Sequence, residues 1–139
     1  MPAFFADRLG YLLKHANLRF TELSDAALAP LGITGRQSAL LTAIDDPDGL
    51  SQQEVADRVG VDRTSMVALI DELAAKDLVA RRPHPADRRK NVVELTPNGR
   101  TTLRKARVRT EEVERAFLAP LSATDGKRLR VLLQAVAGQ

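Results

Sequence analysis

The stretch Leu50-Ser51-Gln52-Gln53-Glu54-Val55-Ala56-Asp57-Arg58-Val59-Gly60-Val61-Asp62-Arg63-Thr64-Ser65-Met66 decides how this chain folds. Ser51 with Glu54 three residues on is a capping box, in which the hydroxyl accepts from an amide of the first helical turn and the carboxylate reaches back to the cap amide. The spacing predicts a short helix carrying Val55 and Val59 that ends at Gly60, the residue type that most readily takes the left-handed conformation of a helix terminus. Asp62 then caps a second helix, whose Met66, Leu69, Ile70 and Leu73 recur at the intervals of one buried helical face. A short helix, a tight turn with Gly and a longer helix make a helix-turn-helix.

Toward the N-terminus, Asp45-Asp46-Pro47-Asp48-Gly49 reads as a turn, and Thr34 with Gln37 as the capping box of a helix that buries Leu40, Leu41 and Ile44. Before it, Pro30 and Gly32 end one long amphipathic helix, Phe5 to Ala27, with Phe5, Leu9, Leu12, Leu13, Ala16, Phe20, Leu23 and Ala27 at spacings of three and four. Toward the C-terminus, Leu78 to Arg82 and Asn91 to Leu95 are β-prone runs around a polar tip, Pro83 to Lys90, and so predict a hairpin with a basic tip. Thr96-Pro97 suits the cap and first position of a long basic helix running through Val113 and Phe117. Ser122 and Asp125 open a last helix with an apolar face of Leu129, Leu132, Leu133 and Val136. The expected fold class is mainly α with a small β-hairpin wing: a winged helix-turn-helix over residues 33–100, flanked by terminal helices at 4–29 and 101–139. Both terminal stripes exceed what a small winged-helix core can cover, so they either pair with a second copy or fold back on themselves.

A chain of 139 residues, 44% hydrophobic and 28% charged, fits one soluble globular domain. Without Cys, it has no disulfide, thiolate zinc site or iron–sulfur cluster. His15 and His84 lie far apart and outside any metal-ligand motif, so neither metal nor cofactor is expected. No phosphate loop, nucleophile elbow or dinucleotide fingerprint is present, and Asp45-Asp46-Asp48 and Glu111-Glu112-Glu114 look like a turn and a solvated helix face; an enzyme is not expected. With only short apolar runs and no leader-like N-terminus, a cytoplasmic protein that avoids membranes is the expectation.

The net charge of +3 hides a segregation: Arg81 to Arg109 holds ten basic residues against two acidic ones, so the rest of the chain is acidic overall. Such a segment is the footprint of a polyanion binder, or else a solvated charged face. The helix that starts after Asp62 exposes Arg63, Thr64 and Ser65 at its N-terminus, groups that can bond base edges in a major groove. Ser51, Gln52 and Gln53, at the start of the preceding helix, suit backbone phosphates. On the hairpin, Arg82, Arg88, Arg89 and Lys90 can reach phosphates or the minor groove, and Asp87 is placed to pair with Arg88 or Arg89.

The run Leu50 to Ala56 through Val61-Asp62-Arg63-Thr64-Ser65, then Leu73, Leu78-Val79, Arg81-Arg82-Pro83, Pro85-Ala86-Asp87-Arg88-Arg89 and Leu95-Thr96-Pro97-Asn98-Gly99-Arg100, closely resembles the multiple antibiotic resistance regulator (MarR) family. The resemblance implies a homodimeric winged-helix transcriptional regulator, a repressor by default, whose terminal helices form the dimer interface. Pairing them across a two-fold axis would set the recognition helices roughly 34 Å apart, one DNA turn, as a palindromic operator needs. It also implies a small aromatic or anionic effector that releases DNA, for which Tyr11, His15 and Arg19 line one side of the first helix. The chain departs from the family at Asp77, where a Gly is common, and at Ala68, where many members carry a basic residue. The competing expectation is a sequence-tolerant, nucleoid-type DNA binder, which would show steep salt dependence and no preferred site.

Overall fold

The computed structural model describes residues 6–139, so Phe5 lies outside the described residues. In chain order the elements are α1 (Leu9–Leu28), a 3-10 turn (Ala29–Leu31), α2 (Gly35–Ile44), β1 (Leu50–Ser51), α3 (Gln52–Val59), α4 (Arg63–Ala75), β2 (Val79–Pro83), β3 (Asn91–Leu95), α5 (Pro97–Leu118) and α6 (Ala123–Ala137). They divide into a central unit, Leu28–Val108, and a terminal unit made of Met1–Ala27 and Arg109–Gln139.

In the central unit the local signals do what their chemistry dictates. Thr34 and Gln37 close a reciprocal capping box on α2, and Ser51 and Glu54 do the same on α3, with each bond at 3.1 Å. Gly60 ends α3 at a φ of 69°, and Asp62 caps α4 by accepting from the Ser65 amide at 2.9 Å. These caps satisfy amides that a helix start otherwise leaves unpaired. The core is a continuous cluster in which Leu41, Ile44, Val55, Met66, Ile70, Leu73 and Val93 are fully buried. Lys76, just past α4, donates to the Gly32 carbonyl and to the buried Gln37 side chain at 2.7 and 3.0 Å, so the Gln37 amide oxygen buried on α2 is satisfied.

The wing is an antiparallel hairpin in register from Val79 opposite Leu95 to Pro83 opposite Asn91. Its first strand starts one residue later than Leu78 and includes Pro83, which sequence reasoning places in the tip. Proline is tolerated because the strand order is β1-β3-β2, which leaves β2 at the edge, where a missing N–H breaks no interior ladder. The third strand is not foreseen from the sequence: β1 pairs with β3, Leu50 opposite Val93 and Ser51 opposite Val92. Two residues are too few to display alternation. Ser51 therefore serves twice, closing the strand and capping α3, which ties the helix-turn-helix to the wing.

The turn after α4 is left-handed at Asp77, with φ 57°. That conformation is cheapest for Gly and next cheapest for Asn and Asp. Here the Asp77 carbonyl accepts from the Thr96 hydroxyl and from the Asn98 side chain, while the Thr96 amide donates to Leu78 at 3.1 Å. Gly99 lies against the same strand start: a Cβ there would sit 1.9 Å from the Leu78 carbonyl oxygen. The Thr-x-x-Gly spacing is thus the seat on which α5 begins.

In the terminal unit, Phe20 meets Phe117 edge to face at 5.3 Å, and Arg130 of α6 pairs with Glu114 of α5 at 2.9 Å. Val113 is buried, yet the apolar stripes of α1 and α6 are largely uncovered, from Leu9 (76% exposed) and Leu13 (53%) to Leu132 (58%) and Val136 (83%).

Candidate nucleic-acid interface

Because Met66, Ile70 and Leu73 are fully buried, α4 has one rotation in the central unit, and it turns Arg63, Thr64, Ser65, Val67, Ala68 and Asp71 to solvent. Among the described residues Arg63 has no ion-pair or hydrogen-bond partner for its side chain. Ser65 differs: its hydroxyl donates to the Asp62 carboxylate at 2.7 Å, so the cap already uses its donor. The backbone amide of Ser65, and then its hydroxyl, hold the Asp62 carboxyl below its ordinary value of 3.8. This capping contribution is present above that value and is lost as pH falls through the lowered one.

The other candidates on the preceding helix are similarly engaged. Ser51 is the α3 cap, Gln53 donates to Asp57 at 2.9 Å, and Gln52 accepts from Arg81 Nε at 2.6 Å. Arg81 also pairs with Asp71 of α4 at 2.7 Å and donates to the Val67 carbonyl at 3.4 Å. It is the clasp between α3, α4 and the wing. Sequence reasoning counts Arg81 as charge and as part of the family resemblance but gives it no contact; the signal available was its place on β2 next to Arg82, since neighbours on a strand face opposite ways.

On the wing, Arg82 pairs with Glu94 across the hairpin at 2.9 Å and donates to the Asp48 carbonyl at 3.4 Å. Of the two pairings open to Asp87, the one with Arg89 forms, at 3.2 Å, and the Arg89 amide donates to the same oxygen. The amide first and the guanidinium second hold the Asp87 carboxyl below its ordinary value. The tip is further closed by His84, whose amide donates to the Lys90 carbonyl and whose Nδ1 accepts from the Ala86 amide. This leaves Arg88 and Lys90 exposed with no hydrogen bond or ion pair for their side chains among the described residues.

Four of the ten cations in the basic segment, Arg81, Arg82, Arg89 and Arg107, are therefore in ion pairs, the last with Asp45 at 2.7 Å. Exposed pairs of this kind add little stability, but they fix where side chains point. Arg63 at the start of α4 and Arg88 and Lys90 at the tip of the wing are uncommitted at places that a winged helix presents to DNA, and the exposed Arg100 and Lys105 of α5 are likewise outside any ion pair among the described residues.

The effector candidates lie in the terminal unit. Tyr11 and His15 stack with ring centroids 4.1 Å apart. Arg19 is occupied elsewhere, lying 4.9 Å over the Phe117 ring and donating to the Phe117 and Ala116 carbonyls at 2.8 and 3.1 Å. A separate groove of about 480 Å³, lined by Leu13, Phe20, Phe117, Leu129, Leu133 and others, lies between the same helices. Among the described residues no cluster of side chains could hold a metal ion, and no helix is long and apolar enough to cross a membrane.

The family model for the MarR family matches residues 31–90. The repressor CouR bound to a 23-mer DNA duplex superposes with a TM-score of 0.87 at 30% identity, over 100% of this chain and 98% of that one. The chain belongs to the MarR family. CouR from Rhodococcus jostii RHA1 bound to p-coumaroyl-CoA is similar at a TM-score of 0.81 and 28% identity, over 96% of this chain and 94% of that one. Among curated proteins, the repressor NicR of Pseudomonas putida is 29% identical over 94% of this chain and 82% of its own length. MarR-family proteins are DNA-binding transcriptional regulators and not enzymes, and the expected winged helix-turn-helix fold is the one found.

Proposed function

We propose that this MarR-family protein is a sequence-specific repressor that binds a palindromic operator as a homodimer. Residues 33–100 form the DNA-binding part, and the helices at 4–29 and 101–139 dimerise. The observation that carries the reading is the pairing of a rotationally fixed, capped α4 with an uncommitted Arg63 and a closed wing tip with an uncommitted Arg88 and Lys90. Arg63 and Thr64 address base edges in the major groove, with Ser65 contributing through its remaining acceptor. Ser51, Gln52 and Gln53 lie along the backbone beside α4. Arg88 and Lys90 approach phosphate or the minor groove directly, while Arg82 and Arg89 brace the wing and add positive potential.

The uncovered stripes of α1 and α6, Leu9, Leu12, Leu13, Val131, Leu132 and Val136 among them, support the dimer: a two-fold contact would remove them from water. A small aromatic or anionic effector acts by favouring a conformer whose recognition helices are misspaced for DNA. The stacked Tyr11 and His15 offer it a ring surface, beside Arg19. The protein works in the cytoplasm.

Selection of bound duplexes from a random DNA pool at physiological salt tests the reading. The expected result is an enriched inverted repeat with half-sites about one helical turn apart. Retention without enrichment would replace the repressor by a nucleoid-type binder, and no retention would return the basic segment to a solvated face.

A further inference from the structure

The face that α4 turns outward is not uniformly polar. Between Arg63 and Thr64 at one end and Asp71 at the other lie Val67, 39% exposed, and the exposed Ala68. Val67 is not part of the buried core cluster. The core of α4 is complete with Met66, Ile70 and Leu73 fully buried, and a β-branched residue on a helix surface loses side-chain freedom while more than a third of this one stays in solvent. Its position is nonetheless held: Arg81 donates to the Val67 carbonyl at 3.4 Å and pairs with Asp71 one turn on at 2.7 Å. That pair also sets a cation beside a carboxylate that phosphates would otherwise repel. The middle of the face therefore has no side-chain hydrogen-bond donor or acceptor, and its two side chains are short enough to let the helix approach closely.

Of the four base-pair orientations, A·T and T·A alone place a methyl group in the major groove. An apolar step on a recognition helix complements that group better than it does the donors and acceptors of the other base edges. We propose that Val67 and Ala68 pack on the 5-methyl group of a thymine in each half-site, and that the operator is specified there by methyl contact instead of hydrogen bonding. The inference rests on the assignment of α4 as the recognition helix. It goes further in naming the chemistry read at its centre.

The test uses the full chain and the duplex recovered by selection, resynthesised with deoxyuridine in place of thymidine at one position of the half-site at a time. Each replacement removes a methyl group and leaves base pairing intact. Titration is followed by fluorescence anisotropy. One thymine per half-site is expected at which loss of the methyl weakens binding about fourfold, the equivalent of one buried carbon returned to water. Val67→Ser should bind the thymine and uracil duplexes alike, with the fold retained by circular dichroism and the salt dependence unchanged. The proposal is overturned if no single uracil alters wild-type binding while the operator is still preferred over random DNA, or if Val67→Ser keeps the full uracil penalty. A protein that prefers no duplex at all would overturn the assignment of α4 together with this inference.

Discussion

The central and terminal units are built from the same kinds of residue and reach opposite ends. In the central unit, leucines and valines recurring at helical spacing disappear from solvent: Leu41, Ile44, Val55 and Leu73 are fully buried. In the terminal unit, stripes of equal regularity leave Leu9, Leu132 and Val136 more than half exposed. Periodicity alone thus says that a face is apolar, not what covers it. The central unit closes because three layers of element meet, α2 with α3 and α4 over the small sheet; within the terminal unit the described helices leave much of their apolar stripes in solvent.

The sharpest way to break that contrast is to place a charge on the uncovered stripe of the terminal unit. Leu132→Asp alters an exposed side chain and should leave the melting of the central unit unchanged. If the stripe is a dimer interface, two copies of the change remove about 3–6 kcal/mol of association, at roughly 1.5–3 kcal/mol for each buried leucine. Analytical ultracentrifugation should then show monomers where the parent is a dimer, and operator affinity should fall more than about tenfold as the two half-sites stop acting together. An unchanged sedimentation coefficient would mean that the stripe is not an interface.

Next in size is Gly99→Ala in the central unit. The added Cβ would stand 1.9 Å from the Leu78 carbonyl oxygen, a backbone atom that cannot swing aside. Overpacking of this kind costs about 3 kcal/mol. Chemical denaturation should report it as a lower midpoint at constant slope. Retention of full stability would show that the start of α5 is not tightly seated on the strand after α4.

Within the interface, the comparison is between α4 and the wing tip. Arg63→Ala should cost about 1–3 kcal/mol and relax preference at particular base positions, because it removes a candidate base contact. Arg88→Ala should weaken all sequences alike and reduce the slope of log affinity against log salt by about one. Loss of site preference in Arg88→Ala, or its retention in Arg63→Ala, would exchange the two roles.

These cases also mark how far the sequence could be read. The caps at Thr34, Ser51, Asp62 and Ser122 are legible because each bond spans three residues along the chain. The wing and the helix-turn-helix follow from such local signals. What escapes is whatever depends on register between distant segments. β1 exists because Leu50 meets Val93, and Arg81 becomes a clasp because β2 lies beside Asp71 and Gln52. By the same logic Arg82 belongs to Glu94 before it can belong to a phosphate. A list of basic residues therefore overstates the free charge, and only the folded pairing separates Arg63, Arg88 and Lys90 from those that brace the scaffold.

The smallest effect concerns the place where a local rule is broken. Asp77 takes a φ of 57° at the end of α4, where Gly would be unstrained. The surrounding bonds from Thr96 and Asn98 reach its backbone carbonyl and do not use its carboxylate, so Asp77→Gly keeps all of them. Relief of left-handed strain of about 1 kcal/mol is partly offset by the greater freedom of Gly in the unfolded chain, leaving a net gain of about 0.5 kcal/mol. Thermal melts should rise by about 1–2 °C, at the scale typical of a chain of this length. A fall instead would mean that the Asp77 side chain makes a stabilising contact of its own, and that this turn is chosen for more than its backbone.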